Sequence, residues 1–287
     1  MTVGAEASGE VTKVGPGVTH LKVGDLVSIY GAPTCGTCRP CREGRDNHCE
    51  HPAGVHGFHL DGYGQELSNM PARNCIKAPL GVTDIGAALA PVTFGTVEHM
   101  FFDNAKLESG ETVLIHAGGS GIGSAAIQLA KKIGCTVITT VGSDDKIDKC
   151  LELGADNVIN YREDRFEGAV RKITKKKGVD VVFEHVGKDT WAGSMLSMRP
   201  GGRLVTCGST SGVSADTNLM MLFQRQLRLI GSFGCRMQNI TDAMEKMAKG
   251  IVHPVVDSEV EFGDIQTALE RMEARKVFGK IIMRVND

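Results

Sequence analysis

Apolar positions in the first eighty residues come in short β-branched runs, 9–18 and 21–29, broken by Gly15-Pro16-Gly17 and Val23-Gly24-Asp25. Short runs between tight turns predict small antiparallel strands. The pattern returns at Glu66-Leu67 and 75–81 after a polar stretch rich in glycine and cysteine. From Asp84 the period changes. Ile85, Ala87, Ala88 and Leu89 begin a helical face that continues through Val97, Met100 and Phe101, past an interruption at Pro91.

Beyond residue 110 apolar runs alternate with helical periods. Strands are predicted at 113–115, 136–141, 157–161, 179–183, 202–207 and 227–230, with helices between them, including one over 164–177. Six mostly uninterrupted apolar strands separated by helices are what a parallel sheet covered on both faces requires, so the fold class is α/β, doubly wound. Helices at 241–249 and 265–272 and a strand at 279–283 close the chain and are expected to pack back on the β-domain. The expected division is 1–87, 88–236 and 237–287.

At 287 residues the chain is long enough for two cores. A net charge of -2 gives no electrostatic reason to expect a nucleic-acid or anionic-membrane partner. The longest apolar runs are broken well short of a membrane span, and residues 1–7 carry neither a basic nor an apolar leader. A soluble cytoplasmic protein is the expectation, acting on a small molecule.

Nine cysteines, an odd number, fit metal binding in a reducing compartment better than a disulfide scaffold. Cys35, Cys38, Cys41 and Cys49, spaced by two, two and seven residues, can close a tetrahedral zinc site with no open position, hence a structural one. Surface thiols or a pair of disulfides are the alternatives. His48 adjoins the fourth ligand and is read as solvent-facing. His51, His56 and His59, near Asp61, lie among glycines without helical periodicity and read as a polar loop.

The central motif follows the strand at 113–115. Gly118-x-Ser120-x-x-Gly123 is one register of a dinucleotide fingerprint, with serine at the middle position, and Gly119-x-Gly121-x-x-Ser124 is another, with serine where helix and strand pack closely. Either leaves amides at a helix start free to face an anion. A glycine-rich turn of purely structural role satisfies the same residues.

These features in order resemble the medium-chain dehydrogenase/reductase superfamily of zinc alcohol dehydrogenases and quinone oxidoreductases. The resemblance rests on Gly9-Glu10-Val11 through Val23-Gly24-Asp25-Leu26-Val27, the cysteine lobe, the turn from Ala117 to Gln128, the run from Leu153 to Tyr161 and Phe278-Gly279-Lys280-Ile281. It implies a GroES-like catalytic domain, a Rossmann domain, hydride transfer and a homo-oligomer, dimer or tetramer. It also implies about fifty further residues before this start, so the GroES-like domain is expected to be incomplete and N-terminally shortened, and the activity of the chain by itself is put in doubt.

Two departures bear on chemistry. Where zinc alcohol dehydrogenases carry Gly-His-Glu, this chain reads Gly4-Ala5-Glu6, and Val92 stands at the third ligand position. A catalytic zinc is not expected, which moves the chain toward zinc-free quinone and 2-enoyl reductases.

The strand at 136–141 ends in Gly142-Ser143 with no acid to accept a ribose 2′-hydroxyl, which favours NADP over NAD, although Asp144 and Asp145 weaken the electrostatic case. The resemblance implies cofactor contacts at Thr96, Gly118, Gly119, Ser120, Gly121, Ile122, Gly123, Ser143, Lys146, Tyr161, Val186, Gly187, Cys207, Gly208 and Ser209, each of which has an alternative packing or turn role. The expected reaction is hydride transfer from NADPH to a carbonyl, quinone or activated C=C bond. Zinc-dependent alcohol dehydrogenase and a non-catalytic nucleotide-binding protein are the other readings. The catalytic residues are not identified. His99 and Tyr63 are the proton donors to test, and each also has a structural reading.

Overall fold

The computed structural model describes residues 2–285. The chain divides into two compact units. One holds the residues up to Glu98 and those from Gly234 onward, and the other is the contiguous segment His99–Phe233. Both divisions differ from 87/88 and 236/237 for one reason. Ala87 and Ala90 share a core with Tyr30, Cys235, Ile240 and Met244, and the Tyr30 hydroxyl donates to the Cys235 carbonyl at 2.9 Å.

The first unit begins with β1 (Ser8–Glu10) and β2 (Leu26–Ile29). Between β2 and β3 (Cys75–Lys77) the chain forms the cysteine lobe, which contains the short helix α1 (Arg39–Arg42). The three strands form an antiparallel sheet in the order β1-β2-β3.

Helix α2 (Asp84–Leu89) follows, its N-terminus capped by Thr83, whose hydroxyl accepts from the Gly86 amide at 3.0 Å. Pro91 does not end the helical run. A π-helical turn, Ala90–Phe94, absorbs it, α3 (Gly95–Glu98) continues, and a second π-helical turn spans His99–Ala105. The whole run Asp84–Ala105 is long and apolar enough to cross a membrane, which corrects the reading that no apolar run reaches that length. Its most apolar window is 78% buried, which makes it a core helix.

The second unit alternates strand and helix: β4 (Thr112–Ile115), α4 (Gly121–Ile133), β5 (Thr136–Val141), α5 (Ile147–Glu152), β6 (Asn157–Asn160), α6 (Phe166–Ile173), β7 (Val179–Glu184), α7 (Lys188–Ser197), β8 (Met198–Thr206), α8 (Leu219–Gln224) and β9 (Arg228–Gly231). The sheet order is β6-β5-β4-β7-β8-β9 and every neighbouring pair is parallel. Counted from β4 this is 3-2-1-4-5-6, the doubly wound dinucleotide order, whose direction reverses between β4 and β7. Leu114, Ile138, Val182 and Leu204 from the central strands pack with Phe166, Val170, Met195 and Met198. The uninterrupted apolar strands therefore sit where both faces are covered.

The returning segment adds α9 (Met237–Ala248), β10 (Val256–Glu261), α10 (Ile265–Glu273) and β11 (Lys280–Arg284), with β10 and β11 paired in parallel. It is tied to the first part of its unit by the ion pairs Lys280 to Glu6 and Arg284 to Asp84.

Candidate functional site

Ligands of open α/β sheets bind outside the carboxyl ends of the strands at the reversal point, here the ends of β4 and β7. After β4 the chain turns through Ala117, whose φ of 49° is left-handed although it is not glycine. The Ala117 amide is held by the Thr140 hydroxyl at 3.1 Å, and the Gly118 amide by the Thr140 carbonyl at 2.9 Å.

A Cβ on Gly118 would strike the Thr139 hydroxyl, and one on Gly123 would strike the Ala117 carbonyl. Gly118 and Gly123 are therefore positions that need glycine for close approach. Ser120 between them caps α4, accepting from the Gly123 amide at 3.0 Å. Among the described residues the amides of Gly119, Gly121 and Ile122 meet no acceptor. Three free N–H groups at the start of a thirteen-residue helix are an anion site suited to a pyrophosphate.

At the end of β5, Gly142 lies under the Tyr161 hydroxyl. The strand-end residues Val141 and Gly142 themselves carry no carboxylate, although Asp145 reaches back to the Ser143 side chain. Ser143 hydrogen-bonds Asp145 and thereby holds the Asp145 carboxyl below its ordinary value. Asp144 accepts from Asn160 at 2.9 Å, and Lys146 closes the 3-10 turn Asp144–Lys146.

The end of β7 carries an arrangement that sequence reasoning missed. Glu184 is fully buried. One carboxylate oxygen accepts from the amides of Val186 at 2.7 Å and Gly187 at 3.1 Å, the other from the hydroxyls of Thr190 and Ser194, both at 2.8 Å. Removing a carboxylate from water costs several kcal/mol. Four hydrogen bonds to a charged acceptor contribute about 1.5–3 kcal/mol each, enough to keep it ionised. Burial pushes the carboxyl up, while the hydrogen bonds from Ser194 and the two amides pull it below its ordinary value.

His116 is buried against Phe166, with ring centroids 4.9 Å apart. Its Nε2 lies 2.8 Å from the Ser194 hydroxyl and its Nδ1 3.3 Å from that of Thr140. Burial lowers its pKa to about 4, so the imidazole is neutral. His185 donates from Nε2 to the His116 carbonyl at 2.8 Å.

Val186 and Gly187 thus have their amides committed to Glu184. The Val186 carbonyl accepts from Ser211, and that of Gly187 from the first turn of α7. Their backbone polar groups serve the protein, and the Val186 side chain is half-buried. Past β8, Cys207 is half-buried, and desolvation pushes its thiol up to about 12, with Glu184 adding to the effect. A Cβ on Gly208 would lie 2.9 Å from the His185 carbonyl, and one on Gly187 2.9 Å from Ser209, so this loop closes on the end of β7. Thr96, in the other unit, is buried in α3.

In the first unit the Sγ atoms of Cys35, Cys38, Cys41 and Cys49 lie within 4.8 Å of one another, and all four are free thiols. A tetrahedron of ~2.3 Å Zn–S bonds has edges of about 3.8 Å, so the donor set fits zinc. Amides of Cys35 and His51 point at the Cys49 sulfur, and that of Cys38 at Cys35, each at 3.4 Å, the polarity that stabilises thiolates. No other cluster of metal-ligating side chains occurs among the described residues, and His48 is exposed.

A catalytic zinc does not fit the residues present. Ala5 and Val92 offer no ligand, and Glu6 is committed to the Thr93 amide at 3.0 Å, the Thr93 hydroxyl and Lys280. Of the two candidate proton donors, His99 Nδ1 pairs with Asp103 at 2.8 Å. Tyr63 is buried, its ring stacks on His56 at 4.8 Å, its hydroxyl has no partner among the described residues, and burial raises its pKa, which keeps the phenol protonated.

Comparison with known proteins agrees with this geometry. Residues 1–80 match the alcohol dehydrogenase GroES-like domain, and residues 121–249 match the zinc-binding dehydrogenase family. Acryloyl-coenzyme A reductase of Metallosphaera sedula is 30% identical over 285 residues, covering 99% of this chain and 83% of the relative. Quinone oxidoreductase of Salmonella typhimurium is 31% identical, covering 98% and 81%. A crystal structure of an NAD-dependent alcohol dehydrogenase superposes with a TM-score of 0.92 at 34% identity, covering 99% of this chain and 83% of that one. The chain therefore belongs to the medium-chain, zinc-binding dehydrogenase family and is an oxidoreductase of the alcohol dehydrogenase and quinone reductase type.

Proposed function

We propose that the protein transfers hydride from NADPH to a small substrate with an activated C=C bond or a quinone, without a catalytic metal and with a structural zinc in the cysteine lobe. The observation that carries this reading is the pairing of an acid-free end of β5, where Gly142 lies under Tyr161, with the free amides of Gly119, Gly121 and Ile122. The amides suit a pyrophosphate, and the lack of a carboxylate at the strand end leaves room for a 2′-phosphate.

The substrate class follows from the relatives that reduce acryloyl-coenzyme A and quinones, and from Ala5, Val92 and the committed Glu6. NADPH supplies the hydride. The protein orients the dinucleotide on α4, and Tyr63 is the group suited to return a proton, because its O–H is neutral and uncommitted. Nine free cysteines agree with a cytoplasmic setting. The edge strand β9 and the exposed Leu219, Met220 and Phe223 of α8 agree with a homo-oligomer.

The test is titration with NADPH and NADH, followed by turnover with a quinone and with an α,β-unsaturated thioester, with and without o-phenanthroline. NADPH-dependent turnover that survives the chelator supports the reading. Strict dependence on added zinc would identify an alcohol dehydrogenase instead, and tight binding without turnover a nucleotide-binding protein.

A further inference from the structure

We infer that Glu184, Ser194 and His116 act as positioning residues for the dinucleotide, forming one directed hydrogen-bond relay at the carboxyl ends of the strands that couples the glycine turn after β4 to the Val186–Gly187 turn after β7. The inference rests on the dinucleotide reading above.

The direction of the relay follows from the groups themselves. The Glu184 carboxylate only accepts, so Ser194 donates to it at 2.8 Å. The Ser194 oxygen then accepts from His116 Nε2 at 2.8 Å, which fixes the neutral Nε2–H tautomer. His116 Nδ1 in turn accepts the Thr140 proton at 3.3 Å, while the Thr140 oxygen accepts the Ala117 amide at 3.1 Å. Ala117 is the left-handed residue on which the glycine turn pivots. At the other end Glu184 holds the amides that set Gly187 at φ 97° and ψ -126°.

Glu184 and Ser194 have no exposed surface, and His116 and Thr140 almost none. They act through the backbone above them. An apolar cluster would fill the same space without the cost of desolvating an ion. What the polar chain adds is a fixed relation between two turns on either side of the reversal point.

Glu184→Gln is nearly isosteric and keeps an acceptor for the two amides, but it presents a donor to Ser194. The relay then runs backwards, and His116 must carry its proton on Nδ1. The experiment combines ¹⁵N-histidine NMR, NADPH fluorescence titration and thermal melts on wild type, Glu184→Gln and Ser194→Ala. Ser197→Ala is the control, removing a buried hydroxyl on α7 that bonds the Gly193 carbonyl outside the relay.

Expected are an Nε2–H His116 in wild type, an Nδ1–H His116 in Glu184→Gln, NADPH dissociation constants raised about tenfold in both relay variants, and an unchanged constant in the control. Should Glu184→Gln fail to fold, Ser194→Ala decides. Folded variants that bind NADPH within twofold of wild type, or an unchanged tautomer in Glu184→Gln, would overturn the inference. A wild type that binds neither NADPH nor NADH would overturn the dinucleotide reading itself.

Discussion

The hydroxyl of Tyr161 stands 2.6 Å from where a Cβ on Gly142 would begin. The last residue of β5 is followed by a glycine covered by a phenol, where a dinucleotide site selective for NAD carries an acid. Tyr161 is 41% exposed, so its ring can swing aside for a new side chain. Gly142→Asp is expected to weaken NADPH binding at least tenfold relative to NADH, because a carboxylate there accepts from a ribose hydroxyl and repels a phosphate. Unchanged preference in parallel titrations would sink the proposed cofactor assignment.

The cysteine lobe predicts one zinc per chain by metal analysis. Cys38 is the buried member of the four, so Cys38→Ser removes a ligand at the centre of the site. The expected result is loss of zinc and a melting temperature lowered by several degrees, with NADPH affinity retained because the free amides of α4 lie in the other unit. Zinc-free wild-type protein would refute the assignment.

Tyr63→Phe separates chemistry from stability. The hydroxyl makes no hydrogen bond among the described residues, so its removal costs no folding interaction and leaves the melting temperature unchanged or slightly raised. If Tyr63 returns the proton, kcat falls tenfold or more with NADPH binding intact. A variant with full kcat removes it as the donor.

His116 predicts an acid-sensitive fold. In the unfolded chain its imidazole protonates near 6.5, while burial holds the folded value down to about 4. Between these values the unfolded state binds the extra proton, so stability rises with pH across the window and is lost as pH falls from 6.5 toward 4. Urea melts at pH 7 and 5 are expected to differ more for wild type than for His116→Gln. Equal differences would show that the histidine does not set the dependence.

The strands and the glycine turn were legible because apolar runs and glycines are local signals, and the cysteine lobe because its ligands fall within a few turns of chain. The π-helical turn at Ala90–Phe94 was less so. Proline marks a break in sequence, and only the packing of Ala90 and Phe94 in the core shows that the helix continues. The relay was illegible because His116 and Ser194 lie 78 positions apart, and each alone reads as an ordinary polar residue. A usable signal did exist. His116, Thr140 and Glu184 are all polar residues at the carboxyl ends of apolar strands, the end of an open α/β sheet where ligands bind. Glu6 stands out in the sequence only as the last residue of Gly4-Ala5-Glu6, because its partners Thr93 and Lys280 are remote in sequence and only the fold brings them together.

The division of the chain also dictates an order of assembly. The unit His99–Phe233 is one unbroken segment, so every partner in its sheet is available once residue 233 has been synthesised. The other unit cannot close its core until Cys235, Ile240 and Met244 arrive, and Glu6 waits for Lys280. Its early strands can pair with one another, but the core they share with Cys235, Ile240 and Met244 stays open for most of translation, while the contiguous unit can already fold on the ribosome.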